Sequence, residues 1–205
     1  IPMTKIKALI FDLGNVLIYF DWKIAREKLN QFEPELGEKT TRYLKENKQL
    51  IYNLECGKIS EDEFLTAIKG SVNSSLTKEE LAKIYSEIFW ENSELTKHLP
   101  TLKLNYKLYL LSNTNKIHRK YGWDGYNFLK NFDRLFLSYE IGFAKPDREI
   151  YEFVLSNIPF KKDEIIYIDD IPEYIEAAKK LGWNAIQFKN NELLIDELRK
   201  FGVNL

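Results

Sequence analysis

The side chains best suited to chemistry in this chain fall at the ends of apolar runs. The segment IKALIFDLGNVL, residues 6–17, is apolar up to one carboxylate, Asp12. A short run of this kind reads as a buried strand, and open α/β sheets place ligands at such strand ends. An unpaired carboxylate beside a dry strand is costly, so Asp12 calls for partners. The run KLYLL at 107–111 leads into Ser112 and Asn113, a hydroxyl and an amide suited to phosphate oxygens. The run IIYI at 165–168 ends in Asp169 and Asp170. Adjacent carboxylates leaving an apolar strand repel each other and lose hydration, and a cation is the usual remedy. With Asp12 they offer the hard oxygen ligands that Mg²⁺ prefers. Lys145 lies in GFAKPD, where Pro146 restricts the backbone of the lysine before it. Each of these residues alone is also good turn or cap sequence. Asp12, Ser112, Lys145 and Asp170 at or after successive strand ends point jointly to one site for a phosphate and a divalent cation.

The elements that must carry these residues alternate. Strands are expected at 107–111, 134–137, 165–168 and 184–188 after the first. A helix over 147–156 begins at Asp147, a good N-cap, with Ile150, Tyr151, Val154 and Leu155 on one face. A second over 172–181 has Pro172 in its first turn and stops at Gly182. A third over 190–201 turns Leu193, Leu194 and Leu198 inward. Strands alternating with helices imply a parallel sheet with right-handed crossovers. Residues 21 to about 95 break the rhythm: they hold no convincing strand but several amphipathic helices. Asp21 is placed to cap one with Trp22, Ala25, Leu29 and Phe32 on one face. Ser60 with Glu63 and Thr77 with Glu80 have capping-box spacing, the second ahead of Leu81, Ile84, Tyr85 and Ile88. An all-helical insert of this size reads as a small lid over the site.

The 205 residues suffice for one large domain or a core with an insert, and an apolar fraction of 44% with 13 Phe, 12 Tyr and 4 Trp fills a globular interior. A net charge of −1 with dispersed Lys and Arg argues against a nucleic-acid or membrane surface. A single cysteine, Cys56, excludes an internal disulfide and suits a reducing compartment. No apolar stretch is long enough for a membrane span, and no basic-then-apolar leader opens the chain. The expectation is a cytoplasmic protein, monomer or weak dimer, acting on a small phosphorylated metabolite.

The order hhhhDxG…hhSNxN…GxxKPD…hhDD resembles the haloacid dehalogenase-like hydrolase superfamily over almost the whole chain, in FDLGNVL, LLSNTN, GFAKPDREIY and YIDDIPEYIEAAKKLG. Within it the wording D-x-G-N-V and S-N-T-N is most similar to the group containing bacterial α-glucose-1-phosphate phosphatases. The resemblance implies an α/β fold, a Rossmann-like parallel sheet in order 5-4-1-2-3, with a helical cap at 19–95 inserted into a core of 1–18 and 96–205. It implies Mg²⁺ and a phosphoaspartyl intermediate. Carried over, Asp12 is the nucleophile and Asp12 and Asp170 are metal ligands. The Gly14 carbonyl is a third ligand, and Asp169 acts through water. Ser112, the Asn113 backbone and Lys145 hold the phosphoryl oxygens. Two positions depart from the pattern. Gly14 stands where most phosphatases of the superfamily carry a second Asp as general acid and base. Tyr174 stands where many place Asp or Asn, which thins the support around the metal. The Gly14 departure favours a leaving group that needs little protonation, such as the anomeric oxygen of a sugar 1-phosphate. In the lid, Glu55 and Lys58 are placed to meet substrate hydroxyls, whereas Cys56 has no basic partner that would make it a nucleophile. His98 and His118 are expected among ordinary surface or loop residues. Two competing readings share the same residues: a metal-independent 2-haloacid dehalogenase-type hydrolase, against which the Asp169–Asp170 pair counts, and a non-catalytic binding protein on the same scaffold.

Overall fold

The structure, a computed structural model, describes residues 5–204; residues 1–4 and 205, at the two ends of the expected core, lie outside the described residues. Five strands form one parallel sheet: β1 (Ala8–Phe11), β4 (Lys107–Ser112), β5 (Arg134–Leu137), β6 (Ile165–Asp169) and β7 (Asn184–Gln187). Their order is β5-β4-β1-β6-β7, the expected arrangement with the first strand in the centre.

Both faces of this sheet are dry, as a parallel sheet requires. Leu9, Phe11, Leu108, Leu110, Ile166 and Ile168 face one apolar cluster, completed by helices Leu99–Asn105 and Asn191–Lys200. Ala8, Ile10, Tyr109, Leu111, Ile165 and Tyr167 face the other, completed by helices Arg148–Ser156 and Pro172–Lys180. The strict alternation is the period of two that an extended chain imposes.

Between β1 and β4 lies the helical cap, α1 (Trp22–Phe32), α2 (Leu36–Glu46), α3 (Lys48–Glu55), α4 (Glu61–Val72) and α5 (Lys78–Ser86), around its own apolar cluster. Asp21 accepts the Lys23 N–H at 2.8 Å, and both capping boxes form, at Ser60 with Glu63 and at Thr77 with Glu80. The expectation of no strand in this region is corrected. β2 (Ile18–Phe20) enters the cap and β3 (Phe89–Glu91) leaves it, and the two pair antiparallel. Three residues each are too few to show an alternating pattern in sequence, and the pairing partner is about 70 positions away. The tilted pair Tyr19–Trp90 and the edge-to-face pair Phe20–Phe89, with centroids 6.1 and 6.0 Å apart, fasten the two crossings together.

Three other expectations on facing are corrected. Trp22 and Phe32 of α1 are 46% and 55% exposed while Ala25 and Leu29 are buried, so the buried stripe is narrower than the sequence face. Leu193 is half-exposed, and only Leu194 and Leu198 of the last helix reach the core. Asp147 does not cap the helix that follows it; its Oδ2 accepts the Tyr52 hydroxyl of α3 at 2.8 Å, which ties the cap to the core.

The cap also meets the core at Gly57, which has φ +63° and leaves no room for a side chain, since a Cβ there would stand 2.4 Å from the Tyr139 carbonyl. Gly57→Ala combines left-handed strain with that collision, at about 1–3 kcal/mol, so a scanning melt should show Tm lowered by roughly 2–10 °C.

Candidate active site

The register of the sheet brings the chemistry together. Phe11 pairs with Leu110 on one side and Ile168 on the other, so Asp12, one residue further on, lies level with Leu111 and Asp169. Its N–H donates to the Ile168 carbonyl at 2.8 Å, which fixes the backbone there. The Lys145 ammonium enters between the three strand ends. Its Nζ donates to Asp12 Oδ1 at 2.8 Å, to Asp169 Oδ2 at 2.6 Å and to the Leu111 carbonyl at 3.2 Å. All three ammonium donors are thereby used. Lys145 and Asp169 are buried and Asp12 nearly so.

Lys145 is itself held. Asn113 accepts the Lys145 N–H on Oδ1 at 2.8 Å and donates Nδ2 to the Lys145 carbonyl at 2.9 Å. The Asn113 side chain thus clamps the lysine backbone and is not available to a ligand. The Tyr174 hydroxyl accepts a further Nδ2 bond from Asn113 at 3.3 Å, and its ring lies 5.0 Å from the Lys145 ammonium. Tyr174, expected as a gap in metal support, is therefore part of the lysine's seat. The Tyr167 hydroxyl donates to Asp169 Oδ2, while Asp169 Oδ1 accepts the Ile171 N–H at 2.8 Å. Tyr167 went unrecognised in sequence because an aromatic in a strand is ordinary core material.

Carboxylate oxygens of Asp12, Asp169 and Asp170 lie within 4.8 Å of one another. Burial, with Asp169 next, pushes the Asp12 carboxyl up to about 8, Lys145 offsetting the two only in part. Burial and Asp169 likewise raise Asp170, which Asn15 steadies through a 3.4 Å hydrogen bond. Burial alone would lower the Lys145 ammonium, but Asp12 and Asp169 outweigh it and hold it above the usual lysine value. Three converging carboxylates thus face one ammonium, and a hard divalent cation fits the remaining charge and the all-oxygen donor set.

A cavity of 110 Å³ opens at the residues that follow Asp12 in the chain, lined by Leu13, Gly14, Ser112 and Asn113 from the core, by Phe20 and Phe89 of the ribbon, and by Trp22 and Glu55 of the cap. Ser112 is buried, its hydroxyl making only a 3.4 Å contact to the Asn113 carbonyl. Gly14 borders the cavity because Phe20 already fills the neighbouring space; a Cβ at position 14 would meet Phe20 Cε1 at 3.2 Å. Glu55 reaches the cavity as expected, whereas Lys58 instead stands 4.8 Å over the Tyr52 ring. His118 is corrected from a surface residue to a buried one. It stacks on Tyr85 at 4.4 Å with Ser86 Oγ 3.2 Å from its Nδ1, and burial depresses it to about 3, so it stays neutral at physiological pH. His98 is half-buried beside the helix it precedes, away from the cavity linings. Cys56 is buried, and burial raises its thiol, which leaves it unreactive.

Comparison with known proteins gives a consistent picture. The family described as haloacid dehalogenase-like hydrolase matches residues 6–182. A D-ribitol-5-phosphate phosphatase of Bacteroides thetaiotaomicron is 32% identical over 196 residues, covering 90% of this chain and 93% of the relative. A sesquiterpene phosphatase of Aspergillus oryzae is 27% identical over 209 residues, covering 96% and 97%. A solved haloacid dehalogenase family enzyme from B. thetaiotaomicron, in complex with magnesium and inorganic phosphate, superimposes with a TM-score of 0.78 at 28% identity over 90% of this chain and 94% of that one.

Glu55 offers a test of the cap's seating on the core. Although the residue as a whole is half-buried, burial of its carboxyl raises it to about 7. The folded protein therefore keeps this proton after the unfolded chain has released it, and stability falls as pH rises from about 4.5 to 7, then levels. Glu55→Gln removes that loss. Relative to the parent, its Tm should gain roughly 2–5 °C at pH 8 over pH 5, and a difference independent of pH would show the carboxyl to be solvated.

Proposed function

Because the chain belongs to the haloacid dehalogenase-like hydrolases, we propose that it is a Mg²⁺-dependent phosphatase of small phosphorylated metabolites, working through a phosphoaspartyl intermediate on Asp12. The observation that carries this reading is the buried Asp12 carboxyl, bound by Lys145 and flanked by two further carboxylates. It immediately precedes Leu13 and Gly14, which line a small cavity with Ser112, whose hydroxyl makes a single long hydrogen bond. The phosphatase relatives and the magnesium and phosphate complex of a structural neighbour support it.

In this mechanism the Asp12 oxygen not bound by Lys145 attacks phosphorus. The ester P–O bond breaks and its electron pair leaves on the alcohol oxygen, which takes up a proton. Water then attacks the phosphoaspartate, releasing inorganic phosphate and restoring the carboxylate. Splitting one displacement into two is the advantage of a covalent nucleophile. Asp12, Asp170 and the Gly14 carbonyl would hold the metal, with Asp169 acting through water. Bound Mg²⁺ supplies charge stabilisation of the transferring phosphoryl group. Ser112 and the Asn113 backbone N–H are placed to meet its oxygens. Lys145 favours the ionised form of Asp12 and orients it, and contacts the phosphoryl group only by exchanging one of its three present bonds.

The division into a core of 1–18 and 96–205 and a cap of 19–95 belongs to this proposal, with the ribbon of β2 and β3 as the crossing. So does action in the cytoplasm as a monomer or weak dimer; no helix of the described residues is long and apolar enough to cross a membrane. The absence of an acid at Gly14 supports esters whose oxygen leaves with little protonation, of which a sugar 1-phosphate is the simplest.

The expected result with p-nitrophenyl phosphate is hydrolysis that requires Mg²⁺, disappears with chelator and falls at least about 10³-fold in Asp12→Asn. Turnover that persists in Asp12→Asn, or without metal, rejects the mechanism. With the sugar held constant, kcat/KM for glucose 1-phosphate should exceed that for glucose 6-phosphate by roughly 10- to 100-fold, and equal values would remove the leaving-group argument.

A further inference from the structure

A second cavity, of 430 Å³, runs through the helical cap, bounded by all five of its helices: Ala25 and Leu29 of α1, Leu44 of α2, Ile51 of α3, Ile68 of α4 and Leu81 of α5. It adjoins the small cavity at Gly14 and Ser112, since Trp22, Glu55 and His118 line both. At its other end Lys45 and Lys48 are exposed, so that end meets solvent. The small cavity accommodates little more than a phosphoryl group, and whatever the phosphate is attached to must extend into the larger one.

From this adjacency we infer that the cap cavity binds the alcohol portion of the phosphate ester, and that this portion is apolar and extended, an alkyl-substituted aryl group whose oxygen leaves readily, in place of a hydroxyl-rich sugar or polyol. The inference rests on the phosphatase reading for the identity of the anchored group, keeps its demand for an easily departing oxygen, and sets the sugar aside as the body that carries it.

The polar inventory of the cavity wall decides between the two bodies. A hexose or pentitol brings several hydroxyls, and each one buried without a partner costs affinity. Few groups here can receive them. The Thr41 hydroxyl donates to the Gly37 carbonyl at 2.7 Å, and the His118 Nδ1 is occupied by Ser86. Thr40 is different: it is 6% exposed, lines the cavity, and its hydroxyl has no hydrogen-bond partner among the described residues. Glu55 is the polar group shared with the smaller cavity, and Arg26, Lys45, Lys48 and Tyr85 complete the polar lining. The exposed wall is nonetheless mostly apolar, which matches a ligand with few polar atoms on an otherwise apolar body. The rest of the wall rewards each methylene it covers, and a volume of this size lies within the range of ordinary small-molecule sites.

The test separates body from bond by using phosphonates, which bind without being cleaved. Calorimetry with the Mg²⁺-loaded protein should give octylphosphonate a Kd at least 100-fold below that of methylphosphonate, since a buried methylene is worth up to about fourfold. Leu44→Trp and Ile51→Trp, on half-buried positions of two different helices, should each reduce that octyl-to-methyl ratio at least tenfold by filling the cavity. A ratio below threefold overturns the inference, as does a large ratio that neither tryptophan variant changes. A pentityl phosphonate binding as tightly as octylphosphonate also overturns it. A parallel series of 4-alkylphenyl phosphates, with nearly constant leaving group, should show kcat/KM rising with chain length. If none of these esters is hydrolysed while the phosphonate ratio is large and falls in the variants, the phosphatase reading fails and the cavity assignment stands.

Discussion

The Lys145 ammonium, buried between Asp12 and Asp169 with its third donor on the Leu111 carbonyl, is the interaction on which the rest of the site depends. Three parallel strands end side by side, and two of them end in carboxylates that the register sets level with each other. Without a cation among them, those carboxylates would repel in a dry environment and one would keep its proton. A surface lysine would contribute little to such a pair, but here all partners are desolvated and the ammonium is saturated, so Lys145 offsets part of the burial cost at Asp12. Even so, one ammonium does not balance three converging carboxylates, and the residual charge is what a metal would complete.

Holding Lys145 in that position takes residues that look unremarkable one by one. Asn113 clamps the lysine backbone on both its N–H and its carbonyl, Tyr174 covers the ammonium, and Tyr167 and the Ile171 N–H hold the Asp169 carboxylate in place. A network of this kind is worth more complete than in parts, since any orphaned member sits in low dielectric. It also assigns labour. Ser112 and the Asn113 backbone are left to face a ligand, while the Asn113 side chain and Lys145 are spent on order.

How much of this the sequence carries follows from the range of each signal. Asp12, Ser112, Lys145 and Asp170 were legible because each terminates or follows an apolar run, a local pattern that needs no partner to be recognised. Helix starts at Asp21, Ser60 and Thr77 were legible for the same reason, since a cap is a contact across three residues. Asp147 carried the same cap signal and was claimed by Tyr52, 95 positions away, which no local rule can register. The ribbon of β2 and β3 is a long-range pairing of minimal strands. His118 looked ordinary because its burial is supplied by Tyr85, Phe89 and Trp22, residues the cap brings to it. The sequence pattern of the cap helices predicted that they bury one face each, but not that their meeting faces leave a continuous space.

That space bears on the oldest puzzle of the motif, the glycine at position 14. The position is crowded by the Phe20 ring, which belongs to the strand entering the cap and is fastened to Phe89 on the strand leaving it. The cavity next to Gly14 is lined by Ile18, Phe20, Trp22, Phe89 and Trp123, with Glu55 the carboxyl in its wall. An apolar wall disfavours the charge that develops on a departing oxygen, and a missing proton donor sharpens the penalty. Both effects act in the same direction, toward esters whose oxygen carries negative charge easily. Trp22 belongs to both cavities and carries this apolar surface on into the cap. The glycine at position 14 and the apolar wall beside it therefore go together, because the Phe20 ring packs against the one and forms part of the other.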